Sequence, residues 1–300
     1  MSASSTASKP MKRTWRQVHA TVRTHESQGG DFRWLELEMP AEFAEPVAGQ
    51  FAQLLLEPPS PVLLPRPMSI ASVRKVRGRL LVGFLYAPVG IGTRALAALE
   101  PGSSVAVTGP LGHGYPLEEA GTPILVAGGR GVAPLLMAAE TLARQRRRCE
   151  FVFGARSKAL LVGLADARER LARMGSRLHI ATDDGSRGHH GTVIDLLDRI
   201  APKLEGPLVL HACGPHGMLG AVAQWAMARG ERAHLAMESV MACGTGVCRG
   251  CPLPRSNASR DRVLAEGAAA HALQGNPEWA MCCTDGPVFE SRELDWERVS

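Results

Sequence analysis

Residues 123–134 read Pro123-Ile-Leu-Val-Ala-Gly-Gly-Arg-Gly-Val-Ala-Pro. An apolar run passes through three glycines directly into helical composition over 132–142. Strand, tight turn and helix in that order open a doubly wound sheet, at the place where such sheets receive a dinucleotide. The G-x-G-x-x-G spacing is absent, so taken alone the segment is also an ordinary tight βα turn. The residues downstream carry the fold. Short apolar strands at 149–154, 177–182 and 207–213 alternate with helical stretches at 159–174, 193–200 and 217–229. Alternation on this scale predicts right-handed βαβ units around a parallel sheet. The last strand ends in His211-Ala-Cys-Gly-Pro-His-Gly-Met, a second glycine-bearing turn on the same side of the sheet.

Upstream the rhythm differs. Period-two or short apolar runs at 14–24, 32–39, 50–57, 79–86 and 104–108 are divided by Pro/Gly clusters at 46–49, 58–67, 88–92 and 101–102. They predict an antiparallel barrel, with one or two helical turns at 93–99. From about Glu238 the alternation stops, and the remainder is loop-rich with an alanine-rich helical stretch at 263–273. The expected organisation is a tail at 1–12, an antiparallel β-barrel at 13–118, a parallel α/β sheet at 119–237 and a small cysteine-bearing segment at 238–300.

Composition excludes several classes. With 45% apolar and 21% charged residues among 300, the chain is neither disordered, fibrous nor a coiled coil. No stretch approaches the ~18–20 apolar residues of a membrane helix, and residues 1–12 carry no apolar leader core. A non-membrane, cytoplasmic protein is expected. The net charge of +5 comes mostly from arginine. Aromatics are only 5% of the chain, and the one dense basic run, Arg144 to Arg148, falls at a helix end, where cations complement the carbonyls. Nucleic acid is therefore not an expected partner.

Five of the seven cysteines fall between Cys243 and Cys283. Disulfide scaffolds are short and spread their cysteines throughout, so a late cluster points to metal chemistry in a reducing compartment. Cys243-x4-Cys248-x2-Cys251 is the plant-type spacing for a 2Fe–2S cluster, whose fourth thiolate comes from a distance. Zinc sites usually pair two C-x2-C knuckles, and only one side here has that spacing. Gly244 and Gly246 suit a loop that bends tightly and aims N–H groups at sulfur. Spacing leaves the fourth ligand open between Cys282 and Cys283. Neighbours in an extended segment point to opposite sides, so one ligates and the other does not.

Two further segments bear on cofactors. In Arg66-Pro67-Met68-Ser69 the arginine suits a phosphate and the serine the polar edge of a flavin ring, although the segment also reads as the start of a strand lying between two barrel strands. Gly90-Ile-Gly-Thr-Arg opens a short helix whose unpaired N–H groups suit an anion.

Together these motifs resemble the ferredoxin-NADP reductase superfamily and, more closely, the family of electron-transfer subunits of NAD-dependent dihydroorotate dehydrogenase. The resemblance spans 14–294. It implies FAD held by Arg66, Pro67, Met68 and Ser69, by Leu85, Tyr86 and Ala87 on the next strand, and by Gly92 and Thr93 at the diphosphate. It implies NAD as co-substrate at Gly128, Gly129 and Gly131, with Cys213, Gly214 and Pro215 beside the nicotinamide. Gly109-Pro-Leu-Gly-His-Gly resembles a further family turn. Cys283-Thr-Asp-Gly-Pro-Val-Phe resembles the tail that carries the last ligand, which selects Cys283 to join Cys243, Cys248 and Cys251. The implied partner is a flavin-containing catalytic dehydrogenase subunit in a heterotetramer. Arg130 departs from the small aliphatic usual in the glycine loop, Ala87 from a polar residue, and the gap from Cys251 to Cys283 is about twice the family length.

The resulting expectation is an oxidoreductase subunit passing electrons between that partner and NAD. No general acid or base is needed, and His189 and His190 are expected in a solvated loop. One rival is a related subunit coupling NAD(P)H to ferredoxin or sulfur reduction. The other is a non-catalytic iron–sulfur or zinc module.

Overall fold

In β1 (Arg16–Ser27) exposed and buried residues alternate, and Val18, Ala20 and Val22 turn inward. The same logic gives β2 (Arg33–Met39), β3 (Phe51–Leu56), β4 (Arg66–Val76), β5 (Arg79–Tyr86) and β6 (Ser104–Leu111), with α1 (Ile91–Ala97) between the last two. They close an antiparallel barrel in the order β1-β2-β5-β4-β3-β6. Glu36, 2% exposed on β2, is met by a bidentate Arg74 at 2.7 and 2.8 Å, the partner a buried carboxylate needs. The computed structural model describes residues 15–29, 31–265 and 277–299. The 1–12 tail and most of the 263–273 stretch lie outside them.

The second unit runs β7 (Thr122–Gly128), α2 (Val132–Arg144), β8 (Glu150–Ala155), α3 (Leu164–Arg173), β9 (Arg177–Thr182), β10 (His189–His190), α4 (Val193–Ile200), β11 (Leu208–Cys213), α5 (His216–Ala228) and β12 (Arg232–Ala236). The third comprises β13 (Pro252–Pro254), α6 (Asn257–Ala265), β14 (Trp279–Met281) and β15 (Val288–Glu290). The large sheet has the order β10-β9-β8-β7-β11-β12-β15, parallel except for β15, which runs antiparallel to β12. The last segment therefore lends a strand to the sheet before it. One apolar core joins barrel residues such as Leu37 and Phe84 to Phe151 of the sheet. A second joins the opposite face to Cys251, Leu253, Met281 and Cys283. Among the described residues no helix is long and apolar enough to cross a membrane.

Several local expectations are corrected. The strand expected to start at Arg66 runs as far as Val76 and is itself part of the barrel. The helix expected at 159–174 begins only at Leu164, because Gly163 takes φ +66° and resets the chain. The helical turns expected at 93–99 run Ile91–Ala97, and the described part of the alanine-rich region belongs to a helix that starts at Asn257. His189 and His190 form a two-residue parallel strand beside β9. The alanines of β12 and the three-residue length of β15 hid both strands from a pattern reading.

Candidate functional site

β4 and β5 pair only from Ile70 opposite Phe84 onward, with a register shift between Ile70 and Ser72. Before that point Arg66 to Ser69 bond β3 alone, while Leu85 and Tyr86 bond β2. The two strands splay, and a cleft of ≈ 240 Å³ opens between them. Arg66, Pro67, Met68, Ser69, Leu85, Tyr86, Ala87 and Thr93 all line it. Its other walls come from the rest of the molecule: Arg130 and Ala133 from the sheet unit, then Met237, Glu238, Ser239 and Met241 from the chain leading to the cysteines. Those residues carried no local signal. Only the packing of three units brings them to the cleft. Arg130 had been visible as an oddity in the glycine loop.

Gly92 does not face the cleft directly. A Cβ there would lie 2.5 Å from Arg66 Nε and 2.9 Å from Nη2, so its absence lets the guanidinium rest on the first turn of α1. The Thr93 hydroxyl accepts from the Gly90 N–H at 2.9 Å and donates to the Gly90 carbonyl at 3.1 Å, so it holds the turn. Tyr86 is tied to a residue that sequence reasoning missed. His25 Nδ1 lies 2.8 Å from the Leu99 carbonyl and must donate to it. Its Nε2 therefore accepts from the Tyr86 hydroxyl at 2.9 Å. Burial pushes the Tyr86 phenol well above its ordinary range.

The two glycine turns of the sheet lie back to back. A Cβ on Gly131 would fall 2.0 Å from the Cys213 carbonyl oxygen and 2.7 Å from Gly214 N. A Cβ on Gly128 would meet Met218 Sδ at 2.6 Å and Pro215 Cδ at 2.9 Å. Only Gly129, at φ +53°, faces open space. Sequence reasoning gave these glycines to a ligand, and the structure gives Gly128, Gly131 and Gly214 a packing duty first. The Cys213 thiol is 2% exposed and held protonated, by burial and then by the Glu238 charge.

The candidate metal centre is organised in pairs. Cys243 Sγ and Cys248 Sγ lie 3.3 Å apart, and the Cys251 and Cys283 thiols share a hydrogen bond. The second pair is assembled by the β13–β14 ladder, which sets Pro252 opposite Met281, and by the Cys282 N–H donating to the Cys251 carbonyl at 2.9 Å. That ladder closes the long gap between the two cysteines. Backbone N–H groups of Thr245 and Cys248 reach Cys243 Sγ at 3.5 and 3.4 Å, and that of Gly250 reaches Cys248 Sγ at 3.5 Å. Gly244 and Gly246 carry φ of +72° and +86°, the left-handed turns expected of such a loop.

Burial works to raise the Cys243 pKa, but the donors from Cys248 and Thr245 outweigh it and bring it down to about 6. The hydrogen bond from Cys283 leads the causes that lower Cys251 to about 7. In that exchange Cys283 keeps its proton, its pKa moving up. Cys243 and Cys251 are thereby moved toward the thiolate, the form that binds metal. Among the described residues no group of three or more His, Cys, Asp or Glu side chains is drawn together closely enough to hold a metal ion as it stands, and the thiols meet two by two. Two thiols and two thiols suit a binuclear iron centre, each iron taking one pair, better than one zinc ion ringed by four donors. Cys282 stands apart. It is fully buried, its Sγ donates to the Met237 carbonyl at 3.4 Å, and burial holds it protonated.

Barrel and metal loop are joined by the 109–114 turn. His113 donates its N–H to the Gly286 carbonyl at 2.7 Å, and its Nε2 lies 3.0 Å from the Thr284 carbonyl.

Residues 125–224 match the family described as Oxidoreductase NAD-binding domain. The chain is 34% identical over 260 residues to the dihydroorotate dehydrogenase B (NAD(+)) electron transfer subunit of Geobacillus thermodenitrificans, covering 86% of this chain and 89% of that one. It is 35% identical to the same subunit of Shouchella clausii, covering 87% and 90%. Among solved structures, an NADH-dependent reduced ferredoxin-NADP oxidoreductase is similar with a TM-score of 0.76 at 24% identity, over 93% and 91% of the two chains. An Amycolatopsis cytochrome P450 reductase follows at 0.60 and 28%, over 75% and 70%.

Proposed function

The chain belongs to the family of dihydroorotate dehydrogenase B (NAD(+)) electron transfer subunits, and from that premise we propose the roles its residues play. It is an oxidoreductase subunit that relays electrons between a catalytic dehydrogenase subunit acting on dihydroorotate, in pyrimidine synthesis, and NAD. When bound, FAD exchanges electrons in pairs with nicotinamide and singly with a 2Fe–2S cluster, which is the conversion such a relay needs. The observation that carries the reading is the cleft itself. It is walled at once by the splayed barrel strands, by the glycine turn of the sheet and by residues 237–241 that lead into the thiol loop.

In this reading the free strand edge at Arg66 to Ser69 bonds the polar rim of the flavin ring. Leu85, Tyr86 and Ala87 cover its face, and the Arg66 guanidinium, seated on Gly92, answers the diphosphate charge. Thr93 shapes that turn through Gly90. Gly129 offers the one open backbone of the glycine turn to the nucleotide, with Gly128 and Gly131 fixing its place against Cys213, Gly214 and Pro215. Cys243, Cys248, Cys251 and Cys283 hold the cluster. The Cys251–Cys283 pair is buried and Cys248 exposed, so the outer pair faces the partner. Val240 and Val247, 86% and 82% exposed beside the loop, supply apolar surface for docking. We assign 13–118 to flavin, 119–237 to NAD and 238–300 to the cluster. Seven free cysteines fit a reducing cytoplasm.

Gly92→Ala is expected to push the Arg66 guanidinium aside and weaken flavin retention roughly tenfold to a hundredfold, the worth of a charge-assisted hydrogen bond. The flavin-to-protein ratio after gel filtration reads it, and iron content should not change. The functional test mixes the loaded chain with its catalytic partner and dihydroorotate and follows NADH formation. NADH only when both subunits are present is the expected result. Its absence, with reduced ferredoxin supporting turnover instead, would overturn the assignment.

A further inference from the structure

Gln53 lies on β3 and is 1% exposed, yet neither its Nε2 nor its Oε1 has a hydrogen-bond partner. Buried side-chain amides are nearly always satisfied, so such a group implies a partner in the working state. Among the described residues the other buried side chains with an unmet polar atom are His211 and Arg255, and only Gln53 has both ends unmet. Its place is specific. A Cβ on Gly244 would lie 2.8 Å from Gln53 Cγ and 2.9 Å from Gln53 Nε2. The amide therefore presses on the thiol loop, one residue from Cys243, and it does so from the barrel side. Its own backbone stands opposite Pro67 of the cleft wall. Gln53 thus sits between the flavin segment and the metal loop. The donors already aimed at Cys243 and Cys248, backbone N–H groups and at Cys243 the Thr245 side chain as well, belong to the loop itself. Gln53 is the side-chain donor that approaches from outside the loop.

We propose that the Gln53 Nε2–H donates to a sulfur of the bound 2Fe–2S cluster, and that Gln53 is a positioning residue that sets its reduction potential. The inference rests on the cluster reading above. One-electron reduction adds negative charge to the sulfurs and leaves the amide proton on nitrogen, so a donor favours the reduced form and raises the potential. The same bond gives the amide Nε2–H the partner it lacks.

The test uses the full chain with Gln53→Met, which keeps the side chain's length and removes both polar atoms. In an EPR-monitored titration of the loaded protein the reduced-to-oxidised ratio at fixed poise is expected to fall about tenfold, a downward shift of about 59 mV for one electron. The flavin potential should stay in place. After the cluster is removed with a chelator, Gln53→Met should melt above wild type, because two unmet atoms are gone, and that gain should vanish in the loaded protein. An unchanged cluster potential overturns the proposal, as does an equal melting gain with and without iron. Should the variant fail to retain iron, a cluster-free melting point at or above wild type supports the contact, and a lower one overturns it. A wild-type chain that binds no iron overturns the cluster reading instead.

Discussion

Replacing Cys283 by serine is expected to take the purified chain from about two iron atoms to nearly none, whereas Cys282→Ser keeps the full count. The two residues are adjacent and both buried, so burial does not separate them. Their partners do. Cys283 shares a hydrogen bond with Cys251 and receives the Gly246 N–H, which places it inside the thiol set. Cys282 turns the other way and gives its proton to the Met237 carbonyl. Serine can make that same donation, so Cys282→Ser should cost about 1 kcal/mol or less. At Cys283 the alkoxide that serine would need is not available near neutral pH. Iron analysis and the visible spectrum of the two variants, with bound flavin as internal control, decide the matter. A full cluster in Cys283→Ser and its loss in Cys282→Ser would reverse the assignment.

The second large effect belongs to Gly131→Ala. The added methyl would sit 2.0 Å from the Cys213 carbonyl oxygen, and what it strikes is backbone at the end of a central strand. Neither turn can yield without moving the other. Overpacking of this kind costs about 3 kcal/mol, a fall in Tm of roughly 10–15 °C for a unit of this size. Because the displaced turn is also the proposed nucleotide platform, KM for NAD should rise on the order of tenfold or more. For stability, though not for KM because Gly129 is itself proposed to face the nucleotide, Gly129→Ala is the control. Its methyl meets nothing within 4 Å, so only the left-handed backbone is penalised, by about 1 kcal/mol. Equal falls in Tm in the two variants would show that the packing of the two turns is not what Gly131 provides.

Periodicity carried the architecture well. Strand–helix alternation placed β7, β8, β9 and β11 and their helices to within about five residues, because each of these elements is long enough to show its own period. It failed where an element is short or is shaped by its neighbours. At Arg66–Val76 both the chemistry and the start of a strand were legible, but not the strand's extent, since Pro67 gives no ladder N–H and the first four residues bond on one side only. The thiol spacing was legible because a cluster dictates it locally. The choice between Cys282 and Cys283 was not, because it depends on a ladder closed across a long gap. Gln53 reads as one polar position in an apolar strand, and Met237 to Met241 read as a loop. Their meaning comes from what the barrel and the sheet set beside them.

β15 begins five residues after Cys283 and bonds the outer side of β12, setting Val288, Phe289 and Glu290 against Ala236, Leu235 and His234. Without it, β12 would present a bare row of N–H and C=O groups, the template on which chains aggregate. The stretch that completes the metal loop is thus also the stretch that guards the sheet from self-association.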